Sequence, residues 1–113
     1  MSLEGETQVY EVTGNNVRQY RLKPEDAGMP RVPLSSVGTG TAVENAARVR
    51  AVLSGVAGPD REYTLINAGV GLVAAGKAKD AREGVELAKQ SIDSGAAMRV
   101  LDGFVAASKS FDA

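Results

Sequence analysis

The sequence predicts an α+β chain: one β-hairpin, then four Ala-rich helices. Three observations lead there. Two β-rich runs flank Gly14-Asn15 within residues 7–22. From Thr41 onward, apolar residues recur at helical spacing, and each such stretch carries its own start or stop signal. Between the halves, residues 23–40 hold Pro24, Pro30, Pro33, Ser35-Ser36, Gly38 and Gly40, a composition that sustains neither regular element.

The hairpin, TQVYEVTGNNVRQYRL, centres on Gly14-Asn15, a pair suited to a two-residue type II′ turn with glycine first. That register sets Val12 opposite Val17, Glu11 opposite Arg18 and Val9 opposite Tyr20. These are an apolar, an ionic and an aromatic–β-branched cross-strand pair, all favourable. A lone hairpin is marginal in water, so it needs another element behind it. The connection 23–40 reads as largely extended, because the residue before each proline is steered away from helix, with one turn at Pro24–Ala27. Its length points to function, disorder or a segment laid across another surface.

Thr41 and Glu44 form a T-x-x-E capping box that opens a helix over residues 41–54, followed by Gly55. Its apolar residues are Val43, Ala46, Ala47, Val49, Val52 and Leu53, with Arg48 and Arg50 marking the wetter side. Pro59 suits the first position of the next helix, over 59–76, with Asp60 and Glu62 near its positive end. This second helix contains the most apolar run of the chain, TLINAGVGLVAAGKA at 64–78, interrupted by Asn67. Apolar or small residues on nearly every side predict a helix covered on several faces. Asp80 caps a third helix over 80–93, where Ala81, Val85, Ala88 and Ile92 make one face. A fourth spans 95–109 and is expected to turn Val100, Leu101, Phe104 and Val105 inward.

Composition narrows the chemistry. A chain of 113 residues fits one domain, which at that size buries about two-thirds of its unfolded surface. Aromatics are only 4% and tryptophan is absent, so the core rests on Ala, Val and Leu. Cysteine and histidine are both absent, which excludes disulfides, thiol catalysis, Cys/His metal sites and imidazole acid–base work. The serines consequently have no histidine base. Net charge is −1 with the signs interspersed, giving no electrostatic case for nucleic acid or an anionic membrane. No run approaches the roughly 18 apolar residues of a membrane span, and no signal-like N-terminus is visible, so a cytoplasmic protein is expected.

Several motifs carry candidate chemistry, and each has a simpler structural explanation. Gly38-Thr39-Gly40-Thr41 precedes a helix N-terminus, where free amides can hold phosphate. It lacks a Walker lysine and the dinucleotide spacing, so a flexible entry into a capped helix explains it as well. Asn67 reads as a packing residue satisfying nearby backbone, and Asn45 as a bond to a loop or the next helix. Glu25-Asp26 and Glu83/Glu86 lie in a loop and on a polar helix face, which reads as solvated charge.

The order of the hairpin, PEDAGMPRVPL, GTGTAVENAARVRAVLSG, GPDREYTLINAGVGLVAAGKA and AREGVELAKQSIDSGAAMRVLDGFVAAS closely resembles the C-terminal part of the anthranilate phosphoribosyltransferases. The most specific pieces are Glu44-Asn45-Ala46, Leu65-Ile66-Asn67-Ala68, Ala75-Gly76-Lys77-Ala78, Glu83-Gly84-Val85 and Ile92-Asp93-Ser94-Gly95-Ala96. The resemblance implies an enzyme of tryptophan biosynthesis that joins anthranilate to the ribose-5-phosphate of phosphoribosyl pyrophosphate with Mg²⁺ assistance. It also implies a larger α/β domain, usually in a homodimer, of which this chain forms one part. In such enzymes the pyrophosphate loop, the anthranilate contacts and an Asp-Glu metal pair lie upstream of the matched region. The pair just precedes a Ser-Leu-x-Gly-x-Thr segment that stands here as residues 2–7.

No catalytic, substrate-binding or metal residue is therefore carried onto this chain, and no cofactor is assigned to it. The expectation is a scaffold fragment, inactive alone, that partners the N-terminal part of the same enzyme and self-associates through exposed apolar surface. The alternatives are an independent helical binding or assembly module, and a fragment of a related pyrimidine nucleoside phosphorylase. The helix containing residues 64–78 becomes, on this reading, an inner helix whose intended covering lies partly elsewhere.

Overall fold

The computed structural model describes residues 1–111. Its elements in order are strands β1 (Thr7–Thr13) and β2 (Asn16–Leu22), two short 3₁₀ turns at Pro24–Ala27 and Leu34–Ser36, then four helices. These are α1 (Ala42–Leu53), α2 (Pro59–Ala74), α3 (Ala81–Asp93) and α4 (Ala96–Lys109).

The two strands pair antiparallel with Val12 opposite Val17, Glu11 opposite Arg18 and Val9 opposite Tyr20. Gly14 sits at φ +60° while Asn15 keeps a negative φ, which is the type II′ pattern. Arg18 bonds Glu11 at 2.8 Å and lays its guanidinium over the Tyr20 ring at 4.7 Å. One hairpin face leans toward the helices. There Val9, Tyr20 and Leu22 share a cleft with Val70, Val73 and Ala81. The other face leaves Tyr10, Val12 and Val17 about two-thirds exposed.

The core lies between α2 and α3, where Leu65, Ile66, Val85, Ala88 and Ile92 are buried. The two helices cross at a pair of glycines. A Cβ on Gly69 would stand 2.8 Å from the Val85 backbone nitrogen, and one on Gly84 would collide with the Gly69 carbonyl. Leu3 and Met29 close one end of this core, with Leu3 fully buried. The helix α2 ends at Ala74, two residues before Gly76, which takes φ +74° as the chain turns away.

The connection 23–40 is held firmly against this frame. Val32 N–H donates to the Leu3 carbonyl at 2.9 Å, and the Tyr63 hydroxyl donates to the Val32 carbonyl at 2.7 Å. Arg31 forks onto the Glu25 carboxylate at 2.6 and 3.2 Å and reaches the Glu4 carbonyl at 3.0 Å. Besides the expected turn at Pro24–Ala27, a second one forms at Leu34–Ser36. The segment is thus laid across the core, and Ala27 and Met29 enter it.

Three expectations about which side faces inward are overturned. Arg48 is not on the wet side of α1. Its side chain is one-third exposed, whereas Val43 is 81% exposed. On α4, Val100 and Phe104 point outward at 72% and 71%, leaving Leu101 and Val105 half-buried. Asn67 is exposed rather than packed, although its amide does satisfy the nearby Tyr63 carbonyl. The helix α2 is covered on one side only, with Thr64, Ala68, Gly71 and Ala74 open, the partial covering expected of it. On α4 and α2 an apolar or small face exists without a neighbour among the described residues to cover it. No helix of the described residues is long and apolar enough to cross a membrane.

Candidate functional site

The most developed polar arrangement surrounds the entry to α1. Thr41 has extended backbone, and its hydroxyl accepts from Glu44 N–H at 3.2 Å while the Glu44 carboxylate accepts from Thr41 N–H at 3.3 Å. Asn45 closes the same turn from the other side. Its Oδ1 accepts from Gly40 N–H at 3.2 Å, and its Nδ2 donates to the Gly40 carbonyl at 3.1 Å. The Glu44 carboxylate lies close over Gly40, where a Cβ would displace it.

Arg48, two turns into α1, ties this entry to α2. Its guanidinium forks onto the Asp60 carboxylate, with Nε at 2.8 Å from Oδ2 and Nη2 at 2.5 Å from Oδ1. The remaining nitrogen, Nη1, donates to the Gly38 carbonyl. The hydrogen bonds from Arg48 hold the Asp60 carboxyl below its ordinary range, against a smaller upward push from burial. Glu25 is lowered in the same way, chiefly by the side-chain bond from Arg31.

Between these groups lies an open cleft of about 410 Å³, lined among others by Gly38, Gly40, Arg48, Gly58, Asp60 and Arg61. Arg61 is mostly buried and bonds Asp93 at 3.0 Å, which leaves its Nη1 buried without a partner. Two amides of the Gly-rich entry are already taken, Gly40 N–H by Asn45 and Thr41 N–H by Glu44, and Asp60 and Glu62 place negative charge beside the start of α2. A phosphate there would compete with ligands built into the chain and meet like charge.

The carboxylates singled out in the sequence are dispersed. Glu25 bonds Arg31, Asp26 accepts from the Lys23 N–H at 2.8 Å, and Glu83 and Glu86 serve the α3 cap and Lys89. Among the described residues, no group of three or more His, Cys, Asp or Glu is placed to hold a metal ion.

Asn67 lies elsewhere, on the open side of α2. Its Oδ1 accepts from the Met1 amino group at 2.8 Å, and its Nδ2 donates to the Tyr63 carbonyl at 2.9 Å. It ties the first residues of the chain to α2, a role that no local sequence signal could disclose, because its partner lies 66 residues away. The burial of Leu3 escapes a local reading for the same reason.

The family model described as "Glycosyl transferase family, a/b domain" matches residues 1–98. The anthranilate phosphoribosyltransferase of Citrifermentans bemidjiense is 48% identical over 94% of this chain, which covers 30% of that protein. The enzyme of the same name from Rhodopseudomonas palustris strain HaA2 is 47% identical over 96% of this chain and is covered over 32% of its length. The crystal structure of anthranilate phosphoribosyltransferase from Thermus thermophilus superposes with a TM-score of 0.82 at 40% identity. It matches 94% of this chain, which covers 31% of that structure. The chain thus spans about a third of the length of the relatives it matches. With the hairpin, the glycine crossing of α2 and α3 and the capped helices all lying inside the matched region, the chain belongs to the glycosyl transferase family, in its a/b domain.

Proposed function

We propose that this chain is the C-terminal scaffold portion of an anthranilate phosphoribosyltransferase, acting in tryptophan biosynthesis in the cytoplasm. The observation that carries this reading is the similarity to enzymes of that name along 94–96% of the chain, at 47–48% identity. The same identities favour it over a pyrimidine nucleoside phosphorylase fragment and over an unrelated assembly module.

On this reading the chain does not turn over substrate alone. Phosphoribosyl transfer needs cations to neutralise a pyrophosphate leaving group and preorganised dipoles for the developing charge. The paired carboxylates and occupied amides described above support placing that machinery, with its Mg²⁺, in the remainder of the enzyme. The chain contributes rigidity beneath it, through the α2–α3 core and the docked segment 23–40.

The test is a turnover assay with anthranilate, phosphoribosyl pyrophosphate and Mg²⁺. The purified chain is expected to give no product. Co-expression with the unmatched portion of the Citrifermentans bemidjiense relative is expected to restore it. Product from the chain alone overturns the inactivity, and no product from the co-expressed pair overturns the scaffold assignment.

A further inference from the structure

One groove in the molecule is kept open by a glycine that the chain itself does not require. Gly71 lies inside α2 with a negative φ, and a Cβ built on it meets nothing within 4 Å. Neither backbone conformation nor packing within these residues demands glycine there, and glycine weakens a helix interior. Gly69, two residues earlier, is the contrast: its need is visible in the contact with α3. Gly71 opens instead onto a groove of about 630 Å³, with Leu53 of α1, Ala68 and Leu72 of α2, and Leu87 and Ile92 of α3 in its walls. Polar groups enter only through Thr64, Lys77 and Ser91.

We propose that this groove seats an apolar element from the part of the a/b domain outside these 113 residues, with Gly71 at the point of closest approach. The inference rests on the scaffold reading and locates its interface. Two observations choose that occupant. The relatives are about three times as long as this chain, so about two-thirds of such a protein lies outside it. The family is described as an a/b domain, yet the described residues hold only a two-stranded sheet, which faces Val70 and Val73 on a different side of α2. Small side chains at Ala68 and Gly71 allow a neighbouring backbone to approach more closely than a leucine-lined face would.

The test uses the full chain carrying Gly71→Leu, with Ala68→Leu as a second variant. Alone, the Gly71→Leu chain is expected to melt at or above the wild-type midpoint by circular dichroism, because the new side chain enters open space and improves helicity. Co-expressed with the tagged, unmatched portion of the Citrifermentans bemidjiense relative, the wild-type chain is expected to co-purify. Either variant is expected to lose at least tenfold in recovery. Undiminished recovery of both variants overturns the groove assignment while leaving the scaffold reading intact. Failure of the wild-type chain to co-purify overturns both. A clear drop in the melting midpoint of the isolated Gly71→Leu chain shows that the groove is filled from within and overturns the inference. Self-association of the wild type that Gly71→Leu abolishes assigns the groove to a second copy instead.

Discussion

At the scale of single residues, two glycines set the distance between α2 and α3. Gly69 and Gly84 face each other so closely that a methyl group on either meets backbone, which cannot swing aside. Gly84→Ala is therefore expected to destabilise the chain by about 1–3 kcal/mol, the usual range for overpacking a core, as read by urea denaturation. Gly71→Ala, on the same helix as Gly69 but over open space, should be neutral or slightly stabilising in that experiment. Equal losses at both positions would contradict the crossing. Arg48 acts at this scale too, through Asp60. The folded carboxyl is held below its ordinary value, so the ionised form is the one that stabilises the fold. That contribution is complete above the ordinary aspartate value of 3.8 and is lost as pH falls through the lower folded value. Arg48→Met should therefore lower the denaturation midpoint near neutrality, and the gap from wild type should close as pH falls below 3.8 and through the lower folded value. A gap that stays constant with pH would assign the effect to lost packing.

At the scale of elements, the helix starts were the most legible part of the sequence. Thr41-x-x-Glu44 and Asp80-x-x-Glu83 each place an oxygen acceptor three residues before an amide that needs one, and both bonds form, at 3.2 and 2.9 Å. Thr41→Ala should cost about 1 kcal/mol of stability, with a range of about 0.5–2, measured by thermal or urea denaturation. Its effect should also reach the Gly38–Gly40 turn, because the Glu44 carboxylate that covers this turn is placed by the same box. Faster proteolysis there, with the rest of the chain protected, is the expected sign. The hairpin was equally legible, since side chains alternate with period two and a glycine-first turn fixes the register. What local pattern did not disclose was the second turn at Leu34–Ser36 and the docking of residues 23–40. Those depend on Leu3, Tyr63 and Glu4, which are remote in sequence.

At the scale of the whole molecule, large apolar side chains stand in water on several sides: Tyr10, Val12 and Val17 on the hairpin, Val43 on α1, Val100 and Phe104 on α4. Dispersed single residues need no explanation, but Tyr10, Val12 and Val17 share one hairpin face, and Val100 and Phe104 lie one turn apart on α4. The isolated chain is expected to self-associate, with its weight-average mass rising with concentration in sedimentation. Replacing Val100 and Phe104 by serine should reduce that rise without altering the helical signal. A compact monomer at all concentrations would count against it. By itself, the sequence determined the kinds and order of elements, the strand register, the helix caps and the family. These follow from short-range rules, namely the two periodicities, turn chemistry and capping, together with motif order. Only the tertiary structure decided which faces are covered: that Arg48 is held and Val43 free, that Leu3 is core, that Asn67 holds the chain's first residue, and that α2 lies half open. The physical reason is that periodicity identifies an apolar face, whereas burial needs a second surface to meet it, and that surface is supplied by residues far away in the chain.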